Sequence, residues 1–181
     1  CRTMEALKPF VQRGIPIVGL EPSCLLTLRD EYLVLFPGEA SKSLADNSFM
    51  LEEFLAAEHD ADQLKLNLQA LPTKQALLHG HCHQKAFGAM GAVQSALNLI
   101  PDLEVELIDS SCCGMAGSFG YEADHYDISM AMAELDLLPA IRAADDQTLI
   151  VADGTSCRHQ IKDGIGIRAE HVAIILERAL G

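Results

Sequence analysis

Short, continuous apolar runs alternate along the chain with longer stretches whose apolar positions recur at helical spacing. Ile15–Leu20 (IPIVGL), bounded by Gly14 and Pro22, predicts a buried strand, as do Gln75–His79 (QALLH), Val105–Asp109 (VELID) and Thr148–Asp153 (TLIVAD). Leu64–Leu68 (LKLNL) alternates and predicts a half-exposed or edge strand. Ser43–Ala57 places Leu44, Leu51, Phe54 and Leu55 on one helical face. Gln84–Leu99, Asp127–Ala144 and Glu170–Leu180 are further helical stretches, with Pro139 expected to split the second of these, and Glu5–Gln12 precedes the first strand. Strands alternating with helices predict an α/β fold: a mostly parallel, doubly wound sheet with helices on both faces.

The cysteines fall on that skeleton in a pattern. Cys24 lies four residues past Leu20, Cys82 three past His79, Cys112 and Cys113 three and four past Asp109, and Cys157 four past Asp153. All but Cys1, which has no assigned role, sit just beyond the carboxyl end of a predicted strand. In a parallel sheet that edge is where ligands bind, and helix N-termini there favour the thiolate that metals require. Inert thiols packing as small hydrophobes have no reason to converge on one edge, so a cofactor site is the expectation.

A second regularity is repetition. Glu21-Pro22-Ser23-Cys24 follows IPIVGL, and Gly154-Thr155-Ser156-Cys157 follows TLIVAD; each is strand, turn, x-x-Ser-Cys, helix. Each is followed by an apolar helix carrying acidic residues, LEEFL at Leu51–Leu55 and IILERAL at Ile174–Leu180. The expected organisation is a C-terminal portion of a first repeat over residues 1–63 and a complete second repeat over 64–181, packed together as one unit, as in a piece cut from a longer protein.

Composition narrows the partners. The 181 residues are 49% hydrophobic and 22% charged, which suits one globular unit with a real core and excludes a disordered chain. The net charge of −13 repels phosphate backbones and anionic lipids, so no nucleic acid is expected as a partner. No apolar stretch approaches the roughly 20 residues of a membrane helix, so no direct membrane insertion is expected. No basic-then-apolar leader opens the sequence. The expected compartment is therefore a reducing cytoplasm, where patterned cysteines serve metal or redox chemistry.

At Cys82, the Cys112-Cys113-Gly114 triplet and Cys157 the chain resembles the cysteine-rich CCG domain, whose pattern is C, a long spacer, C-C-G, a long spacer, then C-x-x-C. That domain occurs in heterodisulfide reductase, in the iron–sulfur subunits of glycolate oxidase and anaerobic glycerol-3-phosphate dehydrogenase, in lactate-utilisation proteins, and at the C-terminus of large FAD-linked 2-hydroxyacid dehydrogenases. GHCHQKA (Gly80–Ala86), SCCGMAGSFGYE (Ser111–Glu122) and EPSCLLTLRDEY (Glu21–Tyr32) look most like the last group, and the resemblance runs from about Gly14 to the end. It implies an iron–sulfur electron-transfer domain, not catalytic alone, with Cys82, Cys112, Cys113 and Cys157 as thiolate ligands, Gly114 beside the cofactor, and Cys24 as the surviving ligand of the other repeat. FAD would reside only in the parent protein. A flavin domain or subunit would take a hydride from a 2-hydroxy acid and pass electrons through the cluster to an acceptor such as a quinone, peripheral to the inner membrane through partners. In the family pattern the last element is C-x-x-C; here its first position is Gly154, and in the other repeat Glu21. The five-thiol version in heterodisulfide reductase holds a non-cubane cluster; four thiols suffice for an ordinary [4Fe–4S] cluster or a tetrahedral zinc.

Two other readings stay open at this point: a structural zinc module, and a vicinal-thiol redox module in which Cys112 and Cys113 close a strained eight-membered ring. Among neighbours, His81 and His83 are either metal ligands or a helix cap and a surface residue. Strand alternation would put both on the side opposite Cys82 unless the chain has already turned. Glu21 is either an oxygen ligand or a cap, His159 is a weaker candidate still, and Lys85 either offsets thiolate charge beside a cluster or is a surface residue. Gly114, Gly117 and Gly120 are spaced G-x-x-G-x-x-G, not as a dinucleotide fingerprint, and are expected to let the backbone approach a bulky cofactor.

Overall fold

A computed structural model describes residues 1–181. The N-terminal part comprises α1 (Arg2–Val11), β1 (Ile17–Gly19), α2 (Pro22–Leu25), α3 (Glu31–Leu35), α4 (Glu39–Asp46), β2 (Ser48–Met50) and α5 (Leu51–Asp60). There follow β3 (Gln75–His79), α6 (Cys82–Ala86), α7 (Met90–Leu97), β4 (Glu104–Leu107), α8 (Tyr126–Ala133), α9 (Leu137–Ala143), β5 (Leu149–Ala152), α10 (Thr155–Ile165) and α11 (Val172–Ala179). The fold is α/β with every strand pair parallel, but its strands form two small sheets: β1-β2, and a three-stranded sheet ordered β4-β3-β5.

Burial explains the three-stranded sheet. Along β3 and β5 alternate residues point to opposite faces. Ala76, Leu78 and Val151 face Val93 and Leu97 of α7 and Val172 and Ile175 of α11. Ile150 and Ala152 face Leu137, Leu138 and Ile141 of α9 and Ile161 of α10. Each fully buried Leu or Ile there contributes about 1.5–3 kcal/mol. The second of these cores also contains Cys113 and Cys157, so the cysteine site is built onto the end of a packed interior.

Several elements differ from the sequence pattern. The Ser43–Ala57 stretch is not one helix: α4 ends at Asp46, and residues 48–50 leave it to pair with β1 in the register Ile17–Ser48 to Gly19–Met50. Asn47 Nδ2 donates to the Ser43 carbonyl and Ser48 Oγ to that of Leu44, so short polar side chains close the helix end. Gln84–Leu99 is broken at Gly88, whose φ of +66° ends α6 and lets α7 start afresh. Pro139 lies inside the first turn of α9, where it is tolerated; the break falls before it, at residues 134–136. Leu64–Leu68 joins no sheet, and Leu68 packs against the core while Gln69 N–H donates to the carbonyl of Ala179.

The two sheets share no ladder. Side chains bridge them instead: His171 Nε2 bonds the Leu20 carbonyl at 2.8 Å, and Glu21 Oε2 accepts from Thr155 N–H (2.9 Å) and Oγ–H (2.7 Å). Beside this seam the Glu52 carboxyl is wholly enclosed, has no hydrogen-bond partner, and lies within 4.8 Å of Asp153 and His171.

Candidate metal centre

The loops after β3, β4 and β5 deliver Cys82, the Cys112–Cys113 pair and Cys157 to one edge of the sheet. They line a cavity of about 500 Å³ together with Glu21, Ser23, His81, His83, Gly117 and Tyr121. The sulfurs form a connected row. Cys112 neighbours Cys82 on one side and Cys113 on the other, and the sulfurs of Cys113 and Cys157 lie within 4.8 Å of each other. The row runs inward: Cys82 is exposed, Cys112 half-buried, and Cys113 and Cys157 are 3% and 1% exposed.

Neighbouring thiols along the row are pushed in opposite directions. The hydrogen bonds of Cys113 and Cys82 hold the Cys112 thiol far below its ordinary range, against the opposing effect of burial. The hydrogen bond from Cys113 does the same for Cys157, with His79 adding to it. Cys82 and Cys113 are pushed up, by their hydrogen bonds to Cys112 and then by burial.

Three features hold the row in place. Lys85 Nζ donates to the carbonyls of Ser110 and Ser111 (3.0 Å for the latter), pinning the cysteine-pair loop to α6. Gly114 N–H donates to Cys112 Sγ at 3.3 Å. Gly114 has a φ of +93°, and a Cβ there would stand 2.0 Å from the Ser129 carbonyl oxygen. The close approach that requires this glycine is therefore to α8, not to an open cofactor space. Gly120 is likewise packed, on Ser129 Oγ and Met115, whereas Gly117 is open at the cavity.

The remaining sequence candidates separate clearly. His81 is the N-cap of α6, its Nδ1 accepting from His83 N–H at 3.2 Å, so the chain has already turned and His81, Cys82 and His83 all line the same cavity. The His81 ring covers Gly154: a Cβ at 154 would lie 2.5 Å from its Cδ2. The place of the missing fifth thiol is thus filled by His81. Glu21 caps α10 across the seam. Burial pushes its carboxyl up, but the bonds from Thr155 and Ser23 outweigh this and leave it below the usual carboxylate range. Cys24 is exposed on α2 and does not line the cavity, and Cys1 is exposed beside the Tyr32 hydroxyl. His159 bonds the Tyr121 hydroxyl at 2.7 Å at the cavity rim.

One residue is not singled out by the sequence pattern. His79, the last residue of β3, is wholly enclosed, and a ring nitrogen lies within 4.8 Å of both the Cys113 and Cys157 sulfurs. In the sequence it closes a predicted strand; its signal is the His79-x-x-Cys82 spacing, with a polar residue ending an apolar run. Four sulfurs with imidazoles beside them form a soft donor set, which suits zinc or an iron–sulfur cluster and disfavours hard, oxygen-seeking cations.

The chain is 31% identical over 170 residues to a subunit of the anaerobic glycerol-3-phosphate dehydrogenase of Escherichia coli K12, covering 93% of this chain and 41% of that protein. It is 28% identical over 170 residues to D-2-hydroxyglutarate dehydrogenase of the same strain, and 30% identical over 171 residues to that of Pantoea ananatis, in each case covering 92% of this chain and 16% of the relative. The chain thus spans less than half of each of these relatives. No family model matches, and no solved structure matches.

Proposed function

We propose that this chain is a CCG-type electron-transfer domain in which Cys82, Cys112, Cys113 and Cys157 hold a [4Fe–4S] cluster serving a flavin-dependent oxidoreductase. The observation that carries this reading is the continuous row of four sulfurs, spread over three strand-end loops and leading from solvent into the core. The relatives support it, since a dehydrogenase subunit and whole dehydrogenases match over nearly the full chain. When bound, such a cluster stores and releases single electrons. The protein's own share is to supply thiolates, to bring them together through Lys85 and Gly114, and to bury the inner pair away from water. Binding requires thiolates and releases the thiol protons, so affinity rises with pH.

The parent protein, in this reading, oxidises a small hydroxy-bearing substrate such as a 2-hydroxy acid at a flavin in another domain or subunit, and a quinone is the terminal acceptor. It works in the cytoplasm, at the inner membrane surface through its partners; no helix of the chain is long and apolar enough to cross a membrane. Residues 1–63 are the end of a first repeat and 64–181 a complete second one. The paired turns at Glu21–Cys24 and Gly154–Cys157, each opening a helix after a parallel strand and touching through Glu21 and Thr155, support that division. Cys24 is then a ligand remnant of the first repeat.

The deciding measurement is iron, sulfide and zinc content per chain, with a visible spectrum, on protein purified without oxygen. Iron with matching sulfide and a brown colour that bleaches on reduction is expected, and Ser variants of each of the four cysteines should lose it. Zinc near one per chain, persisting after iron–sulfide reconstitution, would instead make the site a structural zinc. Activity without metal that disappears in Cys112→Ser or Cys113→Ser would make it a dithiol.

A further inference from the structure

We propose that His79 is a nitrogen ligand of the metal centre, the innermost donor at the end of the sulfur row opposite Cys82. This deepens the reading of the cysteine cavity as a metal centre and rests on it. Three independent features carry the assignment. His79 has no exposed surface, yet its Nε2 has no hydrogen-bond partner. A core histidine kept only for packing would satisfy both ring nitrogens, since an unpaired buried polar atom is costly. The ring stands against sulfur: a ring nitrogen of His79 and the sulfurs of Cys113 and Cys157 lie within 4.8 Å of one another, all three residues buried. Donors around one tetrahedral metal at ordinary zinc–sulfur and zinc–nitrogen lengths stand roughly 3.6–3.8 Å apart, so only a small contraction closes the set. Finally, Nδ1 is anchored on Ser110 Oγ at 2.9 Å. A histidine that ligates a metal through one nitrogen characteristically gives the other to such a partner, which fixes the ring. Ser110 itself is held by Lys85 through its carbonyl. With Nδ1–H assigned as donor to Ser110, Nε2 carries the lone pair.

The assignment has a physical consequence for the missing cysteine. His81 occludes position 154, so a fifth thiol cannot stand there without moving it. The further donor beside the inner thiols Cys113 and Cys157 is the imidazole at the end of β3, a rigid position in the middle of the sheet.

Cobalt(II) alone, titrated into the reduced chain under anaerobic conditions, tests this apart from any cluster. The wild type should show the absorption of a mixed sulfur–nitrogen tetrahedral site. His79→Gln, which keeps the volume, should bind cobalt at least tenfold more weakly and lose the mixed spectrum. His79→Cys should regain affinity with an all-sulfur spectrum. A His81→Gln/His83→Gln double variant should keep the mixed spectrum, and this measurement stands even if the His79 variants fail to fold. An all-sulfur wild-type spectrum, loss of the nitrogen signature in the double variant, or unchanged cobalt binding in folded His79→Gln would overturn the assignment. Iron and sulfide uptake is scored separately. Mixed cobalt ligation without sulfide uptake refutes the electron-transfer reading and leaves His79 a ligand; sulfide uptake with all-sulfur cobalt does the reverse.

Discussion

Gly114 and Gly117 sit three residues apart in the same loop, both with positive φ, yet they do different work. Ala at 114 would drive its Cβ to 2.0 Å from the Ser129 carbonyl, whereas Ala at 117 meets nothing within 4 Å. Gly114→Ala should therefore cost about 3 kcal/mol or more through strain plus backbone collision, and Gly117→Ala only the left-handed penalty of about 1–2 kcal/mol. Urea denaturation of the two variants checks the ratio. Gly154, at φ −67°, has no conformational need to be glycine; it is small because His81 lies on it. Gly154→Cys, which would create a C-x-x-C with Cys157, should destabilise by roughly 1–3 kcal/mol through overpacking, and adding His81→Ala should relieve that cost. Melting temperatures of the single and double variants decide it. At this scale the sequence displayed the cysteines well, because their chemistry and their strand-end spacing are both local. It hid His79, the packing of His81 on Gly154 and the reason for Gly114, because each depends on what another loop brings to it.

The elements tell a similar story. Strands β3 and β5 were legible as apolar runs because they are buried on both faces. β2 was not, since three residues taken from a helical pattern acquire strand character only by pairing with β1. Helix breaks at Gly88 and Asn47 left cues in the sequence that the long apolar stretches outweighed. The seam between the two sheets was invisible for the same reason as the site: it is made by side chains far apart in sequence. Two of its carboxyls respond to pH with opposite signs. Burial, reinforced by the charge of Asp153, pushes Glu52 up to about 8, so the folded state binds a proton that the unfolded chain releases at lower pH. The stability it contributes is complete below the ordinary carboxyl range and is lost as pH rises towards 8, with a slope approaching about 1.4 kcal/mol per pH unit. Glu52→Gln should flatten that slope in denaturation curves taken from pH 5 to 8. Glu21, held down by its bonds to Thr155, contributes above the ordinary carboxyl range and loses its share as pH falls; Glu21→Ala should cost about 1 kcal/mol at pH 7 and less at pH 4.

For the molecule as a whole the net charge of −13 is self-repelling. Raising salt from about 0.01 to 0.15 M shortens the screening length from about 30 to 8 Å. It should stabilise the chain by ~1 kcal/mol, a rise of about 2–4 °C in melting temperature; calorimetry at the two salt concentrations measures it. The absence of a ladder across the seam has a further outcome for how the protein breathes. Glu21 and Ser23 form one wall of the cavity and belong to one sheet, while the inner thiols belong to the other. The bonds at Thr155 and Leu20, at about 1 kcal/mol each, act there beside the packing of Leu55 on the core of the three-stranded sheet and of Arg29 over Phe87. The Thr155 amide, bonded to a side-chain carboxylate across the seam, should exchange with deuterium sooner than those of β3, and a local opening there is the short route from solvent to the buried sulfurs.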